Sequence, residues 1–520
     1  MAGLPESTAW RFLCLSVVVF LLATKILQIS RRASYRALPP GPRGLPFLGN
    51  VLQVPTKMPW FKFTEWAQEF GPIFSLDMAG HRIIVLNSYK VASDLLDRRS
   101  NVYSDRPQFI VAGEILTGGL AIVFARYGPM LRKLRKAAHE GLNNRAIQEY
   151  NDVLCREATS ATLGMLQDPA SWNDQIKRAS ASAILSAIYG WPSLSKNDDP
   201  LLKRIHNLAE RVTEGVTPGT YLVDLIPELN YLPPWAAKWK RDGLLWHQQT
   251  TKMLEGFIRD VEQRMVTEPS GMNCFVSTLL QAKSRHDLTE KELAWLAGKI
   301  FLAGAEAITE TLFYFILAML LYPDVKHKAQ AEIDAVIGRE RPPTIEDVKN
   351  LPYVQSLVTE TLRWRPAAPM SVPRRVDEDN YYEGYFIPKG STVITNIWAM
   401  NRDPSMFPDF DEFRPERFLD GVPEYTHSTG HATFGFGKRI CVGNDFASQI
   451  LLISVATILW AVDIDKALDS EGNPIIPSRH EFLQSGIALG PAPYRCGISA
   501  RFPDALSVLE RHMSGNMQVY

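Results

Sequence analysis

Hydrophobic positions recur with different spacings along this chain of 520 residues, and each spacing predicts a different kind of element. Near the N-terminus they are almost continuous. Phe12 to Thr24 is 13 residues without a charge, short of the about 20 that cross a bilayer. Arg11 and Lys25 have long stems that snorkel toward headgroups, so Ala9 to Ile29 is adequate as a single membrane-spanning helix. Further on, Ile73 to Leu76 and Arg82 to Leu86 have strand character around an Ala79-Gly80 turn and predict a hairpin. A second β-prone region runs from Tyr381 to Thr395, punctuated by Gly384 and Gly390. Most other segments have helical periodicity, so the chain reads as mainly α with a minor β-sheet region.

One helical pattern dominates. Thr289-Glu290-Lys291-Glu292 is a capping box, and the pattern then runs unbroken to Tyr322, where Pro323 stops it. Roughly 33 residues make a helix of about 50 Å, enough to cross a whole domain. Its middle, KIFLAGAEAITETLF, is apolar around most of its circumference and therefore buried. Ala303, Gly304, Ala305 and Ala307 remove side-chain bulk at one level. That either admits a flat or large group or serves plain helix packing. Glu306 favours the first, because a carboxylate in an apolar run costs several kcal/mol unless it has a partner or a proton to handle.

The proline- and glycine-rich Leu38 to Asn50 is a stiff connector, and no second linker or repeat follows. The chain thus divides into residues 1–37, a membrane anchor with a basic linker, and residues 38–520, a single catalytic domain. Arg31, Arg32 and Arg36 follow the span, with no small-residue cleavage site before them. An uncleaved anchor with everything downstream on the cytoplasmic side is expected. Charge adds little: 56 Lys plus Arg balance 56 Asp plus Glu, so nothing points to nucleic acid. Five widely separated cysteines argue for a reducing compartment, where a free thiol is allowed a role.

That thiol is Cys441, in FGFGKRICVG. Phe446, Ile450, Ile453 and Thr457 mark one face of a helix just after it, so the sulfur sits before a helix N-terminus, which favours a thiolate. Gly435, Gly437 and Gly443 clear side chains from around the sulfur, as a large planar group in contact with the backbone would require. Arg439 is placed to reach carboxylates at the edge of such a group. GFGK is similar to a phosphate-binding loop, but Ala432 stands where a glycine is needed and Arg439 where Ser or Thr should hold magnesium. No histidine is positioned to activate a nucleophile, and no second Cys or His lies at zinc-ligand spacing. A single thiolate on a haem iron needs no second protein ligand, and that is what remains.

Phe434, Gly437, Arg439, Cys441 and Gly443 match every fixed position of the haem-binding signature of the cytochrome P450 family, which the chain resembles. TETLRW supplies a family-like E-x-x-R as Glu360 and Arg363, and FRPERF supplies Arg417 as the third member of a buried structural cluster. The PPGP hinge, YSDRP at Tyr103 to Pro107 and GYFIPKG at Gly384 to Gly390 are also family-like, and YLVDLIPELNYLPPW looks most like fungal members.

The resemblance implies a cytochrome P450 fold behind an N-terminal transmembrane helix, in the endoplasmic reticulum membrane. It implies haem b with Cys441 as axial thiolate, Phe434 beside the sulfur, and Arg439, Arg135 and Arg374 on the propionates. It implies electrons from NADPH through a flavin reductase, and Glu306 as the acid of the oxygen-activating groove. Substrate contacts would come from Phe109 to Ile122, Ala303, Ala307, Ala367 to Val372 including Met370, and Leu483 to Ile487 including Gly486. Small residues at 303, 307, 367 and 368 predict a bulky, lipophilic substrate, in a setting such as fungal secondary metabolism.

Two positions depart from the family pattern. Ala307 stands where a threonine hydroxyl usually guides protons, so leakage of reduced oxygen as peroxide is expected. A haem-thiolate isomerase, dehydratase or desaturase without net oxygen insertion would also suit Ala307, and a haem-binding sensor would keep Cys441 alone. Leu131 replaces a tryptophan expected to reach a propionate, a loss of roughly 1 kcal/mol. Arg132, Lys133 and Lys136 on the same helix read either as a docking surface for the reductase or as an ordinary solvated face.

Overall fold

The computed structural model describes residues 37–194, 211–212, 214–216, 220–267, 272–423, 426–485 and 488–516. The anchor segment, Gly486 and Ile487 lie outside them. The chain begins with α1 (Pro59–Phe70) and the hairpin β1 (Ile73–Met78) and β2 (His81–Leu86). Ala79 and Gly80 turn the hairpin at φ 52° and 91°, the left-handed region that glycine enters without strain. A π-helical segment, Ile110–Leu116, precedes α2 (Pro129–Leu142), α3 (Asn151–Gln167), α4 (Trp172–Tyr189) and α5 (Lys238–Thr267).

The long helix is α6 (Glu290–Leu321), 32 residues. Its capping box is formed: the Glu292 N–H donates to Thr289 Oγ1 at 3.2 Å, and the Thr289 N–H donates to Glu292 Oε2 at 2.8 Å. Pro323, without an N–H, begins α7 (Pro323–Val336). α8 (Pro352–Trp364) follows. α6 packs against α4, α5 and later α9 (Asn444–Ala461), burying Trp295, Phe315 and Ile316 completely. α6 and α9 are long and apolar enough to cross a membrane, but most of each is buried inside the protein. They are core helices, apolar because they have neighbours on several sides.

Between α8 and α9 come β3 (Arg374–Arg375), β4 (Asn380–Tyr382), β5 (Tyr385–Ile387) and β6 (Thr392–Thr395). The sheet order is β1-β2-β6-β3. β2 and β6 run parallel, with Ile83 opposite Thr392, and Arg374 lies opposite Val393. The hairpin and the distant β-prone region are therefore one sheet, which carries Arg374 at its edge. After α9, β7 (Val462–Lys466) pairs with β10 (Cys496–Ala500), and β8 (Phe482–Ser485) with β9 (Ala488–Pro491). These C-terminal pairs had no strand signal strong enough to be read from the sequence. The result is the mainly α fold with minor sheets that the periodicities predict.

Candidate active site

Cys441 sits in a closed turn in which its N–H donates to Phe434 O at 2.8 Å and the Ile440 N–H donates to Gly437 O at 3.0 Å. Gly443 caps α9. The cysteine is accessible at the surface although many protein atoms surround it. Burial pushes the thiol up, and the Gly443 N–H and the Arg135 guanidinium pull it down without offsetting the rise. Desolvation thus works against the thiolate that the Gly443 N–H, Arg135 and the following helix start favour. A coordinated cation, which deprotonates a bound thiol outright, reverses that balance.

The glycines around the sulfur divide by purpose. Gly437 has φ 53°, and a Cβ there would lie 2.0 Å from the carbonyl oxygen of Leu96. Its bareness is required by the protein backbone rather than by a bound group. A Cβ on Gly435 or Gly443 would meet nothing within 4 Å. Asp97 secures the same turn, accepting from the Gly437 N–H at 2.6 Å and facing His427 Nε2 at 2.9 Å. Burial raises the Asp97 carboxyl, but His427 and the other donors outweigh it and hold it below its usual range.

Beside Cys441 four arginines converge. Arg135 Nη1 donates to Ile440 O at 3.0 Å. Arg439 donates from Nε to Ser104 O at 2.8 Å and from Nη2 to Ala125 O at 2.6 Å. Arg374, 2% exposed, donates from Nη2 to Phe436 O at 2.8 Å, while its buried Nη1 has no partner among the described residues. Arg106 donates to the carbonyls of Val123, Val372 and Pro373. Burial and then Arg439 push Arg374 down to about 9; burial and then Arg135 push Arg439 down to about 10. Arg106 is lowered by burial and by Arg439 and Arg374. Crowded buried cations with an orphan N–H suit a ligand that brings carboxylates, as a haem b with two propionates does. The donor set fits that group. Removing the orphan donor tests the fit: Arg374→Gln should weaken haem retention by about 10- to 100-fold, the loss of one charge-assisted hydrogen bond. Haem transfer to apomyoglobin measures it, and an unchanged transfer rate would count against the assignment.

The face of α6 opens locally. Its residues are buried from Leu293 to Lys299, loosen over residues 302–307 and close again at Ile308, with Ala303 the most exposed. A Cβ on Gly304 would lie 2.9 Å from Ile184 on α4, so Gly304 serves helix packing while Ala303 and Ala307 leave the space. Glu306 follows on the same face. Thr309 Oγ1 and Thr311 Oγ1 donate to the carbonyls of Ala305 and Ala307, four residues back, at 2.9 and 2.7 Å. Neither hydroxyl is directed to replace the one missing at Ala307. Glu310, a turn beyond Glu306, is raised to about 7 by burial and by the Glu306 charge, with Lys177 opposing. Its Oε2 occupies the place a side chain on Gly490 would need.

Ala367 is buried, and its carbonyl accepts from the Leu489 N–H at 2.8 Å. Met370 is half-buried against Trp60 and Trp398, Val372 holds Arg106 through its carbonyl, and Leu483 is exposed. Phe434 is half-buried against the main core. Away from the cleft, Glu360 lies between two arginines: Arg363 Nε and Nη2 donate to it at 2.6 and 2.8 Å and Arg417 Nε at 3.2 Å. On α2, Leu131 is a core residue, Lys133 pairs with Glu292 at 2.8 Å, and Lys136 donates to Arg285 O at 2.7 Å. Two of the three cations expected as a docking surface therefore have partners within the protein, although Lys136 and Arg132 are both exposed.

Sequence reasoning missed Arg106, Asp97, Glu310 and Lys299. Glu310 had a readable signal, a second carboxylate four residues after Glu306 in the same apolar run. Arg106 lies in the family-like YSDRP stretch but its partners are distant in sequence, and Asp97, which also acts across a long separation, had no signal.

Known proteins bear on this arrangement. The family model "Cytochrome P450" matches residues 39–494. Cytochrome P450 monooxygenase 58 of Postia placenta is 50% identical over 516 residues, covering 98% of this chain and 97% of its own. A cytochrome P450 monooxygenase of Armillaria gallica is 41% identical over 504 residues, covering 96% of both chains. A zebra fish cytochrome P450 solved with abiraterone superposes with a TM-score of 0.67 at 23% identity, over 85% of this chain and 100% of that one, a likeness of fold.

Proposed function

The chain belongs to the cytochrome P450 family, and from that premise we propose that this monooxygenase oxidises a lipophilic small molecule with electrons from NADPH, delivered by a flavin reductase. Cys441 would hold the iron of a haem b through its thiolate, and Ala9 to Ile29 would tether the enzyme to the endoplasmic reticulum membrane with the catalytic domain in the cytoplasm. The observation that carries the reading is the pairing of an accessible, backbone-fixed Cys441 with an arginine cluster that has a buried donor without a partner among the described residues. When bound, the haem supplies oxygen activation, with the thiolate donating electron density to the iron.

The protein's own work is positioning. The Phe434 carbonyl and the Asp97 carboxylate hold the backbone turn that carries the sulfur. Arg374, Arg439 and Arg135 provide charge for two carboxylates at the rim. Ala303 and Ala307 leave room for substrate on α6, and Phe109 to Ile122 contributes a largely apolar cover. Glu306 and Glu310 are the proton-handling groups of the groove, and Glu310, raised to about 7, holds a proton near neutral pH. A carboxyl side chain, or a hydroxyl on the substrate, takes over the role that a hydroxyl at 307 would have.

Reconstitution with a reductase and candidate metabolites, following NADPH use, peroxide and product mass together, tests this. NADPH and dioxygen consumption matched by a product heavier by one oxygen supports it; product formed without either would replace it with an isomerase or dehydratase. Ala307→Thr should lower peroxide leakage severalfold at unchanged haem content, and an unchanged leak would overturn the proton-delivery argument.

A further inference from the structure

Lys299 is buried in α6 with 8% of its surface exposed. Its ammonium lies 5.7 Å from the centroid of the Trp295 ring, and no hydrogen bond or ion pair reaches it among the described residues. The polar groups nearest that ring are already engaged. Trp295 Nε1 donates to Thr251 Oγ1 at 2.9 Å, and His247, stacked on Trp295, has its Nδ1 3.1 Å from Leu116 O. Burial takes the lysine down to about 7, and no carboxylate raises it again. Other buried cations do have partners: Lys326 meets Asp463 at 2.6 Å and Arg365 meets Asp411 at 3.2 Å, while Arg106 and Arg374, which have no carboxylate partner among the described residues, donate to backbone carbonyls.

Its position on the helix is informative. Ala303, Glu306 and Glu310 are four, seven and eleven residues further on, so all lie within about 40° of Lys299 around the helix. Lys299 is thus on the face that opens at Ala303, about 12 Å along the axis before Ala307. The side chain leans toward Trp295, away from Glu306, so Glu306 is not its counter-ion. A buried ammonium with no anion beside it among the described residues, on the cleft-lining face, is what a site built to receive an anion contains.

We propose that Lys299 recognises a carboxylate on the lipophilic substrate, setting that group at the end of the cleft remote from Ala307. This rests on the reading that the Ala303 and Ala307 face lines the substrate cleft, and it adds the chemical class: an amphipathic acid, oxidised about 12 Å from its carboxylate. Trp295, with His247 stacked on it, borders the acid end, where exclusion of water strengthens the ion pair.

The experiment uses the full-length, haem-loaded protein and two probe pairs, lauric acid with methyl laurate and dehydroabietic acid with methyl dehydroabietate. Dissociation constants come from calorimetry and from the ligand-induced haem spectrum. At least one acid should bind about 10- to 100-fold tighter than its ester. Lys299→Met should bring acid and ester within about twofold of each other, and Lys299→Arg should preserve the preference. If neither acid binds tighter than its ester, or the preference survives Lys299→Met, the inference fails. Should Lys299→Met not load haem, the acid-to-ester ratio in the unaltered protein and in Lys299→Arg still decides it. The carbon monoxide spectrum and reductase-dependent NADPH use of the same preparation report separately on the proposed function, so the two failures are distinguishable.

Discussion

The Cys441→Ser protein should fold, bind less haem, and show no absorption band of thiolate-ligated haem when reduced and exposed to carbon monoxide. Reductase-dependent product formation should fall below detection. The effect is expected to be larger than that of any other single change, because it alters the donor atom and not its surroundings. A serine hydroxyl keeps its proton at neutral pH and donates less electron density than a thiolate. Folding should survive because the backbone makes the turn: the Cys441 N–H to Phe434 O bond and the Asp97 bond to Gly437 do not involve the sulfur. Circular dichroism separates loss of ligation from loss of structure. A thiolate-type spectrum retained by Cys441→Ser would overturn the assignment of this sulfur.

The Glu360→Ala protein should lose about 3–5 kcal/mol of stability, a large part of the 5–15 kcal/mol of a typical domain. Glu360 and Arg363 are fully buried, and Arg417 is nearly so. Removing the carboxylate strands the Arg363 charge without its ion pair, although the Asn401 and Phe410 carbonyls still accept from it. The backbone N–H of Arg414 also loses its acceptor, Glu360 Oε1 at 2.9 Å. The cluster therefore ties α8 to the segment from Phe410 to Arg417, which precedes the Cys441 turn. The expected observations are a much lower unfolding midpoint in urea and poor recovery of haem-loaded protein, with Glu360→Gln intermediate because it keeps an acceptor oxygen. A midpoint within a few tenths of a molar of the unaltered protein would show that the cluster is not what holds these segments.

Much of this site was legible because its signals are short-range. A capping box and a proline bounded α6 to within a residue at each end, since each acts on the adjacent backbone. The glycine, arginine and cysteine spacing around Cys441 marked the loop, and the hairpin was visible in two alternating stretches joined by a turn. What escaped was whatever needed a partner distant in sequence. The parallel pairing of β2 with β6 joins residues about 300 positions apart. Asp97 reaches Gly437 and Arg106 reaches Val372 over similar separations. No local period encodes either contact.

From the sequence alone came the long buried helix, the single cysteine in a glycine-lined turn, the acid without its neighbouring hydroxyl, and a mainly α architecture. These follow from periodicity, capping and donor chemistry, which act within a few residues. The tertiary structure decided which small residues leave space and which only pack, since Ala303 opens while Gly304 yields to Ile184. It decided that Gly437 is bare for the sake of Leu96, and that four arginines gather with a donor to spare. It also left Lys299 buried beside Trp295 with no acid against it among the described residues. Those outcomes turn on close approach and on charges summed through a low-dielectric interior, and both depend on elements brought together only when the whole chain folds.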